Sequence, residues 1–345
     1  MIRYFFILIL LASCAVEPEF VPKQYKAVEV ASLFADSVSI RAITLMGKNL
    51  AFAGSDNTYG IYNAGDTQAR ASRLRIDSVN TEFRAVAATS NDFFMLGVGD
   101  PALLFKTGDS GAMELAYMEE HEKVFYDAMA FWNDMEGIAM GDPTDGCISI
   151  IVTRDGGRTW QKLPCSMLPE AAEGEAAFAA SNTNISIVGD HAWIATGGVR
   201  SRILYSPDKG RTWQVFDTPV VQGEPTQGMY SVAFYDEQLG FAIGGDYTNP
   251  EENTANKIRT IDGGKTWQVV GSRMDPGYLS CVQYIPGRKG QELVAVGFQG
   301  IWFSNDGGDS FTKISDEPFY TLRFNSDSTA FAAGRNRLAK LTFKE

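Results

Sequence analysis

The sequence has few of the residues that metal sites, redox motifs and nucleic-acid interfaces require. Only two of its 345 residues are histidine, His121 and His191, which is too few for a multi-histidine metal site. It contains neither a Cys-x-x-Cys pair nor a Gly-x-Gly-x-x-Gly turn, so nothing supports redox or dinucleotide chemistry. The formal net charge of −12 argues against a nucleic-acid partner, which requires a basic surface. We therefore expect no metal, no cofactor and no nucleic acid.

The only long apolar stretch is the N-terminal one, and it is too short to span a bilayer. One cation, an apolar run and Leu-Ala-Ser precede Cys14, which resembles a bacterial lipobox. The resemblance implies a signal peptide at 1–13, lipidation of Cys14, and a tether at 14–24. The protein is then exported and membrane-anchored, in the bacterial outer membrane or facing the periplasm. The alternative is an ordinary secretory signal.

Four copies of one short pattern occur in the rest of the chain. Each has Ser or Thr, an Asp, one or two Gly, a second Ser or Thr and a Trp or Phe, and the aspartates are Asp155, Asp208, Asp262 and Asp306. Such an Asp folds its carboxylate onto nearby backbone N–H groups, while Gly supplies backbone angles closed to other residues. The pattern therefore predicts hairpin turns in which these aspartates are structural.

The spacing of the turns predicts an all-β fold, a single seven-bladed β-propeller over 25–345. With two weaker turns at Asp66 and Asp109, successive aspartates are 43 to 54 residues apart, close to the length of a four-stranded blade. An apolar strand that ends in Gly recurs seven times in phase with the turns. The last repeat is one strand short, so we expect 25–34 to supply its missing strand and close the ring. One ring of this size is expected to be a monomer.

The turn pattern resembles the Asp-box, or bacterial neuraminidase repeat, of β-propellers. Other stretches resemble an exported bacterial family described as photosystem II stability/assembly factor-like, or as oxidoreductase-labelled; they include Phe125–Trp132, Gly141–Pro143, Gly174–Asn184, Tyr230–Phe234 and Gly244–Tyr247. The first resemblance implies that the Asp turns lie on the rim away from the active mouth. The second implies a mouth shared with that family.

Polar residues are predicted to converge on one mouth of the ring, because second-strand turns and innermost-strand starts share a face. The candidate ligand-binding residues are Arg41, Arg84, Glu175, Asp246 and Tyr247. Asp127 and Asp142 are the candidate catalytic pair if the protein is an enzyme. The alternative interpretation is that these are solvated loop residues that neutralise each other.

Two functions remain open at this stage. The first is a binding lipoprotein whose mouth takes a carbohydrate or an envelope protein. The second is a carbohydrate-active enzyme, resembling a glycoside hydrolase, that uses the paired mouth carboxylates. The Arg-Ile-Pro motif of sialidases is absent, so a sialidase is not expected.

Three cysteines remain after Cys14. Cys147 and Cys165 lie at equal distances from the centre of the Asp155 turn, in a hairpin where Val152 is expected to face Trp160. A cross-strand disulfide and two separately buried thiols both fit this placement. Cys281 lies in an apolar strand and is expected to be a packing residue.

Overall fold

Short apolar strands and tight turns organise the chain into seven antiparallel sheets, six of four strands and one of six, and the seven blades are those that the sequence predicted. The computed structural model describes residues 20–76 and 79–345, so Cys14 and most of the predicted leader and tether lie outside the described residues. Within the described ranges no helix is long and apolar enough to cross a membrane. The fold is the predicted seven-bladed propeller.

The strands follow in chain order, and each blade runs from its innermost to its outermost strand. After β1 (Ala27–Phe34), blade I holds β2 (Ala42–Met46), β3 (Asn49–Ala53), β4 (Thr58–Tyr62) and β5 (Arg70–Arg73). Blade II holds β6 (Phe83–Ala88), β7 (Phe93–Gly97), β8 (Ala102–Thr107) and β9 (Met113–Glu119). Blade III holds β10 (Tyr126–Phe131), β11 (Gly137–Pro143), β12 (Ile148–Thr153) and β13 (Gln161–Lys162).

A short 3₁₀ turn, Cys165–Met167, follows blade III. The chain continues with β14 (Glu175–Ala176), β15 (Ile185–Val188), β16 (His191–Ala195), β17 (Gly197–Gly198), β18 (Arg202–Ser206) and β19 (Gln214–Asp217). Of these, β15, β16, β18 and β19 form blade IV, and β14 and β17 extend the inner edge of the next sheet. Blade V holds β20 (Gln227–Phe234), β21 (Gly240–Asp246), β22 (Lys257–Thr260) and β23 (Gln268–Val269). Blade VI holds β24 (Cys281–Tyr284), β25 (Leu293–Gly297), β26 (Gly300–Ser304) and β27 (Thr312–Ser315).

Blade VII is built from both ends of the chain. It holds β28 (Thr321–Phe324), β29 (Thr329–Gly334) and β30 (Arg337–Lys344), and β1 is its outermost strand. The β1–β30 pairing is antiparallel, with Val28 opposite Phe343. This confirms the predicted closure of the ring, which pairs the edge of β30 that the chain would otherwise leave open.

Aromatic residues fill the spaces between neighbouring blades. Phe94 of blade II stacks on Phe131 of blade III with ring centroids 4.7 Å apart, and Trp160 packs edge-on against both. Trp193 and Phe234 make the same kind of contact between blades IV and V at 3.7 Å. Each blade therefore packs its apolar faces against both neighbours, which holds the channel wall in place.

The four predicted Asp turns share one hydrogen-bond pattern. In the first, Asp155 Oδ1 accepts bonds from the Thr153 hydroxyl at 2.9 Å and the Thr159 N–H at 3.0 Å, and Oδ2 accepts the Thr159 hydroxyl at 2.7 Å. The same contacts recur at Asp208, Asp262 and Asp306. Gly156 and Gly157 occupy left-handed conformations with φ of 76° and 77°. The weaker turn at Asp109 lacks these carboxylate bonds within the described part of the chain.

Cys147 and Cys165 form a disulfide, with their Cα atoms 5.5 Å apart. The hairpin register differs by one residue from the prediction, because Val152 pairs with Gln161 rather than with Trp160. Trp160 instead turns into the space between blades II and III. Cys281 is a free thiol and is fully buried in the packing between blades VI and VII.

Candidate functional site

A segment that precedes blade IV crosses the central channel, and we call its residues 180–184 the channel plug. The Ser181 hydroxyl donates to the carbonyl of Ser280 at 2.6 Å, and the carbonyl of Ser181 accepts the Thr321 hydroxyl at 2.9 Å. The Asn182 side chain donates to the Val86 carbonyl at 2.8 Å. These bonds reach blades II, VI and VII. The plug therefore divides the channel into two cavities.

The cavity on the mouth side, which we call the mouth basin, has a volume of about 310 Å³. Two arginines, Arg41 and Arg84, lie at the starts of the innermost strands of blades I and II. Six aromatic rings complete the wall, those of Phe125, Phe178, Tyr230, Tyr247, Tyr278 and Phe298. The basin therefore combines positive charge with a broad aromatic surface.

Five of the six rings of the aromatic wall, all but that of Phe125, form a continuous packed cluster. The ring of Phe178 lies parallel to that of Tyr230, with centroids 3.9 Å apart and an interplanar angle of 3°. Tyr278 meets the other side of Tyr230 edge-on at 4.8 Å, and Phe298 packs on Tyr278 at 5.3 Å. Tyr247 and Phe298 keep 47% and 42% of their surface exposed, so ring faces stay open to solvent at the rim. Such a preformed wall suits an apolar or ring-shaped group.

Arg41 has no acidic partner within 4.0 Å among the residues that the structure describes. Its guanidinium lies 4.1 Å from the centre of the Tyr320 ring, and its buried Nε makes no hydrogen bond. Burial and the like charge of Arg84 lower the pKa of Arg41. Arg84 pairs with Glu82 at 2.8 Å, but its buried Nε also lacks a hydrogen-bond partner in the described part of the chain. The basin therefore has unused cationic donors, which favours an anionic ligand.

Asp127 and Asp142 are brought together, but neither lines the basin. Asp127 is fully buried, and neither carboxyl oxygen has a hydrogen-bond partner in the described ranges. Burial and the neighbouring charge of Asp142 raise the pKa of Asp127 well above its ordinary value. Burial raises the pKa of Asp142 to about 6, although its Oδ1 accepts the Ala177 N–H at 2.7 Å. The pair thus supports the segment that carries Phe178 rather than facing the basin.

The other three predicted ligand-binding residues lie in three different environments. Glu175 has a fully enclosed side chain that forms an ion pair with Arg202 and accepts the Thr196 hydroxyl at 2.6 Å. Asp246 accepts bonds from the N–H and the hydroxyl of Thr248, at 2.9 and 2.6 Å, within its own turn. Tyr247 lies in the basin wall. Arg41, Arg84 and Tyr247 are therefore the members of the predicted set that meet in the basin.

Sequence reasoning did not identify the aromatic wall or the plug. Phe298 directly follows the Gly that ends a second strand, and Tyr278 precedes an innermost strand. These are the same two positions that predicted the charged mouth residues. A search of those positions for aromatic as well as charged side chains would have found them.

Fold and site together define a seven-bladed β-propeller with a plugged channel and a basic, aromatic mouth. No family model and no curated protein matches the sequence. A solved structure titled "YCF48 bound to D1 peptide" is similar with a TM-score of 0.67 and 14% identity, over 96% of this chain and 100% of that one. YCF48 from Cyanidioschyzon merolae is similar with a TM-score of 0.62 and 13% identity, over 92% and 98%. The RRP9 WD40 repeats reach 0.64 and 12%, over 93% and 99%. At these identities the likeness shows the shared fold.

Proposed function

We propose that this protein binds a segment of a partner protein in the mouth basin. The observation that carries the proposal is that Arg41 and Arg84 line the basin beside an aromatic wall, and that Arg41 has no acidic partner among the described residues. A carboxylate of the partner would bind the guanidinium groups where they line the basin, because guanidinium and carboxylate form short charge-assisted hydrogen bonds. An adjacent apolar or aromatic side chain would pack on Phe178 and Tyr247. The ligand is thus an acidic, aromatic-containing peptide segment.

The dimensions of the basin favour a segment over a folded surface. Its volume of about 310 Å³ lies at the lower end of the usual range for ligand pockets, which is room for one or two side chains. YCF48, which is bound to a D1 peptide in the similar solved structure, has the same fold and adds an argument by analogy. We infer on the same ground that the chain is a distant member of the assembly factor-like family, with its four turns as Asp-box repeats.

We further propose that the protein is an exported lipoprotein attached through Cys14. The Cys147–Cys165 disulfide supports this, because such bonds persist in oxidising compartments. Residues near the start of the described chain lie along the Asp-turn side: Asn305 donates to the Lys23 carbonyl at 2.9 Å and Arg288 to the Val21 carbonyl at 2.7 Å. Five residues lie between Cys14 and Phe20, so the Cα atoms of these two residues are at most ~20 Å apart. A lipid at Cys14 would therefore hold the Asp-turn side near the bilayer, with the mouth directed away from it.

The second candidate function is a carbohydrate-active enzyme. The observation in its favour is the carboxyl pair Asp127 and Asp142, both with raised pKa values. A glycan would stack on the same aromatic wall. The enclosure of Asp127 speaks for the binding function, because a catalytic acid has to reach its substrate.

The test is fluorescence anisotropy of the full chain with dye-labelled pentapeptides that contain Phe or Trp next to Asp or Glu, each paired with its Asn or Gln analogue. We expect binding of the acidic peptides and a loss of about tenfold or more on Arg41→Gln or Arg84→Gln, in line with the size of a charge-assisted hydrogen bond. Arg158→Gln, an exposed arginine of an Asp turn, is the matched control and should bind like the wild type.

Three outcomes separate the candidates. Acidic-peptide binding that depends on Arg41 supports the partner-binding function. Reducing sugar released from a chitotetraose or uronic-acid oligosaccharide, and lost on Asp142→Asn, would replace it with the enzyme. Equal affinity for acidic and neutral peptides, unchanged by Arg41→Gln, would remove the proposed role of the arginines.

A further inference from the structure

The second cavity of the channel lies on the other side of the plug and has a volume of about 380 Å³. Its wall comes from the later residues of the innermost strands, whereas Arg41 and Arg84 stand at strand starts. The Asp turns lie on the same side, since the Gly156 N–H bonds to the Met135 carbonyl in the inner hairpin of its blade. This lower cavity is therefore separate from the mouth basin and opens towards the Asp-turn face.

One charged side chain, that of Arg323, lines the lower cavity among the residues that the structure describes. It is the third residue of β28, where side chains alternate between the channel and the packing against blade VI. Thr321 and Arg323 are on the channel side, and Leu322 is buried in the core between the blades. The alternation thus fixes the guanidinium inside the channel.

The contacts of Arg323 leave part of its guanidinium unused. Nη1 donates to the Thr321 hydroxyl at 3.1 Å and the Leu322 carbonyl at 2.8 Å, and Nη2 donates to the plug carbonyl of Asn182 at 2.9 Å. A guanidinium has five N–H donors, so Nε and one N–H of Nη2 have no oxygen partner in the described chain, and the Cys281 thiol is a neighbour of the guanidinium. No carboxylate of the described chain lies within ion-pair distance of Arg323. Burial lowers the pKa of Arg323, beside the Cys281 thiol, but an arginine stays charged at neutral pH.

The rest of the wall is uncharged and polar enough to hold a hydrated solute. Thr44, Ser186 and Gln283 contribute neutral polar side chains. An anion in this cavity would therefore meet one full positive charge and no competing carboxylate among the described residues that line it.

We propose that the lower cavity is a second ligand site, which binds a small oxyanion, a carboxylate or a phosphate, at the Nε and Nη2 edge of Arg323. A guanidinium binds two oxygens of one oxyanion through two N–H groups, and Arg323 has two N–H groups without an oxygen partner in the described chain. The volume suits a small solute with its hydrating waters and excludes a polypeptide. The same guanidinium holds the plug through Asn182, so an anion bound here also holds the floor of the mouth basin in place.

The first measurement is NMR of the arginine Nε–H groups in the full chain, titrated with inorganic phosphate and, separately, with acetate. The Arg323 resonance is assigned by its disappearance in Arg323→Lys. We expect saturable shifts of the Arg323 signal, with an affinity in the millimolar range or tighter for the preferred oxyanion, and no shift with glycerol. The two titrations distinguish a phosphate site from a carboxylate site.

Variants separate this site from the mouth. Arg323→Gln should weaken oxyanion binding at least tenfold, and Arg323→Lys should weaken it less, because lysine keeps the charge but loses the two-pronged geometry. Arg41→Gln should leave the Arg323 shifts unchanged. Circular dichroism melts check that each variant is folded. If Arg323→Gln does not fold, the titration of the wild type still decides whether the site binds an anion.

The proposal is overturned by an Arg323 signal that fails to move with either anion, or by anion binding that is lost in Arg41→Gln and kept in Arg323→Lys and Arg323→Gln. Neither result would bear on the proposed peptide binding in the mouth basin, which is measured separately by the acidic-peptide titration. A loss of peptide binding with intact Arg323 shifts would conversely leave the lower site in place.

Discussion

The carboxylate of Asp142 accepts a hydrogen bond from the backbone N–H of Ala177 at 2.7 Å, across 35 residues of chain. Asp142 lies near the end of the second strand of blade III, and Ala177 directly precedes Phe178, which stacks on Tyr230. One bond therefore connects a blade turn to the aromatic wall of the mouth. It makes the position of the wall sensitive to the protonation state of a single carboxyl group.

The first prediction concerns the pH dependence of stability. Burial raises the pKa of Asp142 from an ordinary 3.8 to about 6, so the folded state holds a proton that the unfolded state has lost between pH 4 and 6. The contribution of Asp142 to the free energy of unfolding is therefore full below pH 4 and falls, by about 1–3 kcal/mol, as the pH rises through 6.

Urea unfolding of the wild type and of Asp142→Asn between pH 4 and 7 checks this. The amide keeps an oxygen that accepts the Ala177 N–H but does not titrate, so the difference between the two proteins isolates Asp142. Asp142→Asn should gain stability relative to the wild type as the pH rises. Parallel curves for the two proteins would contradict the prediction.

The second prediction is that Asp127 carries a proton at a pH where an ordinary aspartate is ionised. Its carboxyl group is fully buried and has no hydrogen-bond partner in the described ranges, and burial raises its pKa well above 3.8. Asp127→Asn, which replaces a neutral acid by a neutral amide of the same shape, should change the free energy of unfolding by less than about 1 kcal/mol at pH 7. Asp127→Leu, which keeps the branched shape without polar atoms, provides the comparison for lost polarity. A loss of several kcal/mol in Asp127→Asn would mean that the folded protein uses the ionised form.

The third prediction concerns the Asp turns. The carboxylate of Asp262 accepts three hydrogen bonds, from the Thr260 hydroxyl and from the N–H and hydroxyl of Thr266. Asp262→Ala leaves these donors without their partner and should lower the free energy of unfolding by about 1–3 kcal/mol. The matched control is Asp109→Ala, in a turn without these carboxylate bonds, which should change stability by less than about 0.5 kcal/mol. Chemical denaturation of both variants decides the matter, and equal losses would contradict a role for the carboxylate bonds.

The fourth prediction concerns the disulfide. Cys147 and Cys165 are 18 residues apart in sequence, and a cross-link over such a loop contributes about 3 kcal/mol by restricting the unfolded chain. Reduction with dithiothreitol, or the double change Cys147→Ser and Cys165→Ser, should lower the denaturation midpoint accordingly. The double variant should then no longer respond to dithiothreitol. If dithiothreitol lowers the denaturation midpoint of the double variant as much as that of the wild type, the reductant acts through something other than this disulfide.

Much of the fold was predictable because its determinants are local. The turns at Asp155, Asp208, Asp262 and Asp306 each form from residues within eight positions of one another, so their spacing reports the length of a blade. Strand alternation between the turns follows from the two-residue period of side chains. Closure by the N-terminal strand was predictable because a ring with one strand missing would have an open sheet edge.

The site was predictable only in part, because it depends on residues from different blades. The predicted set included Arg41, Arg84 and Tyr247 of the basin, since their positions at strand starts and turns point to the mouth. Glu175 was also predicted to lie at the mouth, but its enclosed pairing with Arg202, 27 residues away, is not encoded in any local pattern. A sequence pattern indicates where along a strand or turn a residue lies, but not which distant residue neutralises its charge.

The amino-acid sequence by itself determined the class of fold, the number of blades and the way the ring closes, because turn chemistry and hydrophobic alternation act within a few residues. Only the tertiary structure decided that residues 180–184 cross the channel and that Arg41 and Arg323 are without acidic partners among the described residues. The physical reason is that burial and charge compensation are properties of the packed ring, in which each group meets neighbours from blades far apart in the chain.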